Sequence, residues 1–175
     1  MIPANHIVYL IGFMGGGKST FGSKLASHLG WRFIDLDDKI EHRAGQTIND
    51  IFSDHGEKYF RKLESEVLKE FENQTSIVLS TGGGTPCFGD NMEYMNRTGL
   101  TVYLKLTPGQ LKSRLVGTKA ERPLLKNLDD DALLQFIEDK LEFREKWYDI
   151  ADLTVDGFSA DIIQTGLLIR NSITV

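Results

Sequence analysis

An α/β fold with a central parallel sheet is predicted for this chain, with helices covering both faces of the sheet. Short runs rich in Ile, Val and Leu alternate along the sequence with longer segments of helical periodicity. The first apolar run, 6–11, leads directly into a glycine-rich loop and then into a segment with an apolar residue at every fourth position. Because no repeat or low-complexity linker divides the chain, we expect one domain over 1–175.

The five predicted strands are short, as expected of buried parallel strands. They cover 6–11, 31–36, 76–80, 100–106 and 153–155. Apolar spacing indicates helices near 39–44, 48–52, 57–71, 90–96 and 130–148, with others after the first loop, after Thr107-Pro108 and after a cap at Ser159. The stretch between the second and third strands is longer than a simple crossover needs. We therefore expect a small helical substrate-binding insertion at about 36–72.

Composition narrows the range of partners and locations. The formal net charge is −5, so a general affinity for nucleic acid or acidic membranes is not expected. Cys87 is the only cysteine, which excludes an intrachain disulfide and a cysteine metal cluster. No apolar run approaches the roughly 20 residues of a membrane span, and no secretory signal opens the chain. We expect a cytoplasmic protein, and a monomer, because no apolar surface is obviously left uncovered.

The glycine-rich loop at 12–20 fits the phosphate-binding pattern G-x-x-x-x-G-K-[ST] at every fixed position. Its glycines remove side chains that would keep a phosphate away from backbone N–H groups. Lys18 adds a positive charge for the β- and γ-phosphates, and the Ser19 hydroxyl is a ligand for Mg²⁺. The predicted phosphate-binding residues are Gly15, Gly16, Gly17, Lys18, Ser19 and Thr20. The sequence thus predicts a site for a nucleoside triphosphate.

Two classes of protein share such a loop: kinases of small molecules, and regulatory or motor NTPases. A switch GTPase needs an Asn-Lys-x-Asp element and an Asp-x-x-Gly element, and the sequence contains neither. The chain is also short for a motor. An enzyme is therefore the favoured interpretation.

Asp35 and Asp37 come at the end of the second predicted strand. In a strand they share a face, since alternate side chains point the same way. One carboxylate would hold a water on Mg²⁺, and the other would accept the proton of an attacking hydroxyl. The competing interpretation is an exposed strand end followed by a helix cap.

Two arginines are candidates for binding an anionic substrate. Arg61 lies on a helix between Glu57 and Glu64, a pattern also typical of a solvent-exposed salt-bridge ladder of little energetic consequence. Arg144 on the late helix is similarly ambiguous. Together they would supply bidentate contacts to a carboxylate.

Three further features complete the candidate set. Gly82, Gly83 and Gly84 follow the third strand and permit close backbone approach to a ligand. Arg122 lies in a polar stretch at about 116–130 that we interpret as a lid, where it would place positive charge on the γ-phosphate; the alternative is a surface arginine. Arg114, on the preceding helix, is a candidate for packing against the adenine.

In combination, these residues resemble the shikimate kinase family, of the nucleoside-monophosphate-kinase-like group of P-loop folds. The matching segments are 12–20, Asp35-Leu36-Asp37, Gly56-Glu57 with Phe60-Arg61 and Glu64, Gly82–Gly84, Arg122–Leu125, and Arg144 with Tyr148. They occur in family order over nearly the whole chain. The resemblance implies a three-layer α/β/α P-loop kinase fold and transfer of the ATP γ-phosphate to the 3-hydroxyl of shikimate.

The resemblance also implies a role for each matching residue. Lys18 and Arg122 would act on the phosphates, with Ser19 on Mg²⁺ and Asp35 reaching the metal through water. Asp37 would bind the acceptor and serve as the base. Arg61 and Arg144 would hold its carboxylate, with backbone from Gly83. The segment 155–158 matches the family's adenine-edge loop poorly. A kinase of another polyol acid such as gluconate, and a catalytically silent ATP-dependent binding module, are the alternatives.

Overall fold

The computed structural model describes residues 6–117, 125 and 127–173. Five strands form one sheet: β1 (Ile7–Ile11), β2 (Arg32–Asp35), β3 (Ile77–Ser80), β4 (Leu100–Lys105) and β5 (Leu153–Asp156). Their order in the sheet is β2-β3-β1-β4-β5, and every neighbouring pair is parallel. The predicted five-stranded parallel sheet is confirmed.

The helices are α1 (Lys18–Leu29), α2 (Leu36–Ala44), α3 (Ile48–Lys69), α4 (Asn91–Thr98), α5 (Pro108–Val116), α6 (Asp130–Tyr148) and α7 (Ile162–Ile173). Side chains alternate along β1, so Tyr9 lies in one buried cluster and Leu10 in the other. The first cluster packs helices α2, α3, α4, α5 and α6 against one face of the sheet. The second packs α1 and α7 against the other face. Helices therefore cover both faces, as in a three-layer α/β/α fold.

The strand register brings the loops of the site together at one edge. Leu10 on β1 pairs with Ser80 on β3, and Asp35 on β2 pairs with the same Ser80. The chain leaves all three strands at this level, since parallel strands end at the same edge of a sheet. The phosphate-binding loop, the Asp35 region and the glycine loop are therefore neighbours.

Two local predictions are wrong in detail. β2 ends at Asp35, because this side chain caps α2 by accepting a hydrogen bond from the N–H of Asp37 at 3.1 Å. Asp37 consequently lies in the first turn of a helix and not on a strand. Ser159 does not cap α7; the Asp161 carboxylate accepts from the N–H of Gln164 at 2.7 Å, and Ser159 bonds to Asp156 instead.

The predicted insertion is built from α2 and α3, which pack against each other. Thr47 caps α3, as the sequence predicts, by accepting from the N–H of Asp50 at 3.2 Å. The helices predicted at 48–52 and 57–71 together form α3, which kinks at Gly56, where φ is 79° and ψ is 173°. Most of the predicted lid, including Arg122, lies outside the described residues.

Helix α7 leaves apolar side chains exposed, although a monomer was expected on the premise that no apolar surface is uncovered. Ile163 is 60% exposed and Leu167 is 55% exposed, so apolar side chains are left uncovered. The monomer stays a prediction without that support. Within the described part of the chain, no helix is long and apolar enough to cross a membrane.

Candidate active site

The phosphate-binding loop connects β1 to α1 and ends at Gly17, the left-handed N-terminal cap of α1 (φ 86°). The ammonium of Lys18 is buried and donates to the carbonyls of Gly12 at 2.8 Å and Phe13 at 2.9 Å. Gly15 also has positive φ, and a Cβ there would lie 2.5 Å from Leu115. The loop and its buried ammonium therefore lie at the N-terminus of α1, a position that suits a polyphosphate.

Ser19 and Asp35 are the two predicted metal ligands, and they are in direct contact. The Ser19 hydroxyl donates to Oδ2 of Asp35 at 2.6 Å. A hydroxyl and a carboxylate are the hard oxygen donors that Mg²⁺ prefers, so these two residues fit that ion. Among the described residues no group of three or more His, Cys, Asp or Glu is arranged to hold a metal. The remaining ligands would have to come from water and phosphate.

Asp37 lines a cavity of about 290 Å³, which Ser19 and Asp35 also line. Burial, with the nearby charges of Asp35 and Glu64, raises the pKa of Asp37 to about 6, although Lys18 opposes the shift. The cavity is lined by Met14, Gly15, Gly17, Lys18, Ser19, Thr20, Asp35, Asp37, Ser80, Thr81, Gly82 and Gly83. It thus brings the phosphate-binding loop, both predicted carboxylates and part of the glycine loop into one space.

Two glycines of the glycine loop lie against the two arginines. A Cβ on Gly84 would lie 2.7 Å from Nη2 of Arg61, and a Cβ on Gly83 would lie 3.2 Å from Nη1 of Arg144. Side chains at these positions would displace the guanidinium groups. The structure therefore brings Arg61, Arg144 and the glycine loop together, as predicted, and it gives the glycines a steric reason.

Arg61 is part of a buried ion pair. Its Nη1 donates to Oε2 of Glu64 at 2.8 Å, and its guanidinium lies 4.0 Å from the ring centroid of Phe88. Glu64 is only 1% exposed and also accepts from the Thr85 hydroxyl at 2.6 Å. The more exposed contact, with Glu57 at 3.3 Å, is the salt-bridge ladder of the alternative interpretation. The ladder is therefore present, and the bond to the buried Glu64 fixes Arg61 in a way that sequence spacing did not reveal. Binding of an anionic substrate by Arg61 stays a prediction.

Arg144 is the buried cation with unused hydrogen-bonding capacity. The residue is 9% exposed, and its Nη1 has no hydrogen-bond partner among the described residues. Its guanidinium lies 5.3 Å from the ring centroid of Phe13. A buried donor on a charged group is costly to leave unpaired, so this nitrogen is suited to an anionic ligand.

Arg114 connects the phosphate-binding loop to the segment that follows β5. It donates to the carbonyl of Gly16 at 2.7 Å and to that of Gly157 at 3.0 Å. A second cavity of about 410 Å³ lies beside it, with Phe21, Lys24 and Phe158 among its lining residues. A larger cavity of about 670 Å³ lies between α5, α6 and β5, and none of the predicted site residues that the structure describes lines it.

A parallel sheet with a phosphate-binding loop at its edge, next to a pocket with carboxylates and arginines, defines a P-loop kinase. The family model for shikimate kinase matches residues 14–164. A shikimate kinase of Bacteroides fragilis is 50% identical over 141 residues, which are 81% of this chain and 79% of that protein. The chain therefore belongs to the shikimate kinase family.

Solved structures agree with this assignment. The shikimate kinase of Bacteroides thetaiotaomicron has a TM-score of 0.88 at 40% identity, covering 97% of this chain and 99% of that one. The shikimate kinase of Acinetobacter baumannii in complex with shikimate has a TM-score of 0.83 at 33% identity, covering 98% and 97%. A gluconokinase of Sinorhizobium meliloti, at 16% identity and a TM-score of 0.55 over 98% and 92%, shares only the fold.

Proposed function

We propose that this chain transfers the γ-phosphate of ATP to the 3-hydroxyl of shikimate. What supports the proposal most directly is the position of Arg144, whose buried Nη1 has no partner among the described residues and faces the glycine loop. Shikimate carries one carboxylate, which would satisfy that donor. Membership of the family agrees with this substrate.

The acceptor pocket is built for one negative charge. Glu64 already neutralises much of the charge of Arg61, so Arg144 supplies the unbalanced cation. The two guanidinium groups would hold the carboxylate in a bidentate fashion, since a planar fork matches its two oxygens. The N–H groups of the Gly82–Gly84 loop would contact the ring of the acceptor from the same side. This arrangement fixes the acceptor relative to Asp37.

Asp37 would accept the proton of the reacting hydroxyl. With a pKa of about 6, it is largely ionised at neutral pH and still close enough to that pH to bind a proton transiently. The hydroxyl oxygen forms a bond to the γ-phosphorus, the bond from that phosphorus to the β-γ bridging oxygen breaks, and the proton passes to Asp37. ADP leaves with the electron pair of the broken bond.

The phosphates would lie on the loop from Gly15 to Thr20, with Lys18 supplying positive charge. When bound, Mg²⁺ neutralises phosphate charge, and Ser19 with Asp35 are the residues that would hold it. The adenine of ATP would occupy the second cavity, beside Arg114 and Phe158. Arg122, outside the described residues, would reach the phosphates from the lid at about 116–130.

We further propose a single domain over 1–175 in which 36–72 binds the acceptor. We also propose that it acts as a monomer in the cytoplasm, where ATP is available. The net charge of −5 supports the expectation that neither nucleic acid nor a membrane is a partner.

The decisive experiment is an ADP-release assay with ATP, Mg²⁺ and shikimate, run in parallel with gluconate. We expect turnover with shikimate only. Turnover with gluconate alone would reassign the acceptor, and binding of shikimate without turnover would indicate a silent binding module. The absence of both binding and turnover would refute the proposal.

A further inference from the structure

Tyr148 lies at the C-terminal end of α6 and makes one long-range hydrogen bond. Its hydroxyl donates to the carbonyl of Gly83 at 2.5 Å, and the residue is fully buried. Burial raises the pKa of the phenol far above its ordinary value, so the hydroxyl stays protonated and remains a donor. A buried phenol in this state holds the carbonyl of the glycine loop in a fixed place.

Gly83 is in turn enclosed on two sides by the site. A Cβ on this residue would lie 3.0 Å from the backbone nitrogen of Met14 in the phosphate-binding loop and 3.2 Å from Nη1 of Arg144. The position of Gly83 therefore sets the gap between the donor loop and the arginine of the acceptor pocket. A shift of a few tenths of an ångström at Gly83 would therefore change its spacing from Arg144.

Helical geometry explains why Tyr148 can control this gap. Arg144 and Tyr148 are four residues apart on α6, so both side chains face the glycine loop. Nη1 of Arg144 lies beside Gly83, and the hydroxyl of Tyr148 donates to the carbonyl of the same glycine. The ring of Tyr148 is itself held against Tyr103, with 4.9 Å between the centroids. Thus α6 holds the loop at two points.

We propose that Tyr148 is a positioning residue for the acceptor, acting through the carbonyl of Gly83 and not by contact with substrate. The inference rests on the proposed function, because it assigns the glycine loop to acceptor binding. Loss of the hydroxyl leaves the Gly83 carbonyl without its donor, and the loop then relaxes relative to Arg144. Binding of shikimate should therefore weaken. Binding of ATP should change little, because the phosphate-binding loop is held by its own hydrogen bonds, from Lys18 to the carbonyls of Gly12 and Phe13 and from the N–H of Gly16 to the carbonyl of Phe13.

The test compares Tyr148→Phe with Tyr103→Phe. Tyr103 is the control: it is also a buried tyrosine and packs on the ring of Tyr148, but its hydroxyl does not bond to the glycine loop. We expect Tyr148→Phe to raise the KM for shikimate about tenfold, as for loss of one buried hydrogen bond, with less than a twofold change in the KM for ATP. Tyr103→Phe should change neither KM by more than twofold.

Hydrogen exchange of the backbone amides at 81–85 gives a second measurement that needs no activity. Tyr148→Phe should speed exchange there relative to both the wild type and Tyr103→Phe. Unchanged KM for shikimate and unchanged exchange, with melting temperatures lowered equally in both variants, would show that Tyr148 only fills the core. Failure of the wild type to phosphorylate shikimate would refute the proposed function and leave the exchange result to decide whether Tyr148 holds the loop.

Discussion

The hydroxyl of Ser19 donates to Oδ2 of Asp35 at 2.6 Å, while Oδ1 of the same carboxylate caps α2. Asp35 thus caps the helix and is also placed to take part in the proposed Mg²⁺ site. The cap needs only an acceptor oxygen, whereas Mg²⁺ favours the negative charge. The two tasks can therefore be separated by substitution.

Replacement of Asp35 by Asn should separate them. Asparagine is as good a cap as aspartate, so the free energy of unfolding should stay within about 0.5 kcal/mol of the wild type. The Mg²⁺ concentration needed for half-maximal activity should rise at least severalfold because the charge is gone. Titration of activity with Mg²⁺ measures this change.

Asp35→Ala is the matched variant, since it removes both the charge and the cap. It should show the same metal defect and in addition lose about 1 kcal/mol of stability, measured by urea unfolding. An unchanged Mg²⁺ requirement in both variants would exclude Asp35 from the metal site.

Asp37 should control the acid limb of the pH profile. Since the base must be ionised and its pKa is raised to about 6, kcat/KM for shikimate should fall as the pH decreases through about 6. Asp37→Asn should lower kcat by at least a hundredfold and abolish this limb. An acid limb that persists in residual Asp37→Asn activity would assign the titration to another group.

The same carboxylate should reduce the stability of the fold. Its folded pKa lies above the ordinary value of 3.8, so the native state binds more protons than the unfolded state between pH 4 and 6. Stability contributed by protonated Asp37 is therefore lost as the pH rises through that window. At pH 7, Asp37→Asn should be more stable than the wild type, by on the order of 1–3 kcal/mol. Lower stability of the variant at pH 7 would contradict this account.

Arg144→Lys should weaken binding of the acceptor without unfolding the protein. Lysine keeps the charge but cannot present two parallel N–H donors to a carboxylate. The KM for shikimate should rise tenfold or more, with the KM for ATP nearly unchanged, as for loss of one hydrogen bond to a charged group. Arg97→Lys, on the exposed face of α4, is the control and should leave both values unchanged. If Arg144→Lys bound shikimate normally, the carboxylate would have to lie elsewhere.

Much of this site could be predicted from the sequence because its signals are local. The phosphate-binding loop follows a fixed pattern, and α6 begins at Asp130 and ends at Tyr148, as its apolar spacing predicts. The start of α2 was missed because apolar and β-branched residues near 33–36 favour a strand, while the deciding interaction is one side-chain cap at Asp35. Local propensity does not reveal such a cap until the chain folds.

The roles of the arginines depend on contacts between residues distant in sequence. The spacing around Arg61 fits an exposed salt-bridge ladder and an ion pair with a buried Glu64 equally well. Only the position of Glu64, which accepts a hydrogen bond from the Thr85 hydroxyl, distinguishes the two. Nη1 of Arg144, which has no hydrogen-bond partner in the described part of the chain, has no sequence signature, since its surroundings are Phe13 and the glycine loop. Spacing therefore predicted which residues meet, but not how they are held.

Gly84→Ala tests whether the glycine loop exists to admit Arg61. The backbone at Gly84 has a φ of −95°, which any residue can adopt, so the substitution adds no backbone strain. Its effect is steric: the new Cβ would lie 2.7 Å from Nη2 of Arg61 and force the guanidinium to move. Since misplacement of a binding group by about 1 Å reduces activity by up to about a hundredfold, we expect kcat/KM for shikimate to fall at least tenfold.

Gly109→Ala, in the first turn of α5, is the matched control. A Cβ at Gly109 has no neighbour within 4 Å among the described residues, so this variant should keep full activity and gain up to about 1 kcal/mol from the better helix former. Gly84→Ala should lower the melting temperature, because a displaced guanidinium leaves the buried carboxylate of Glu64 without its ion pair. The kcat/KM is therefore measured well below that temperature. Normal kcat/KM in Gly84→Ala would mean that Arg61 can bind the acceptor from a different position, and the steric explanation of the third glycine would then be wrong.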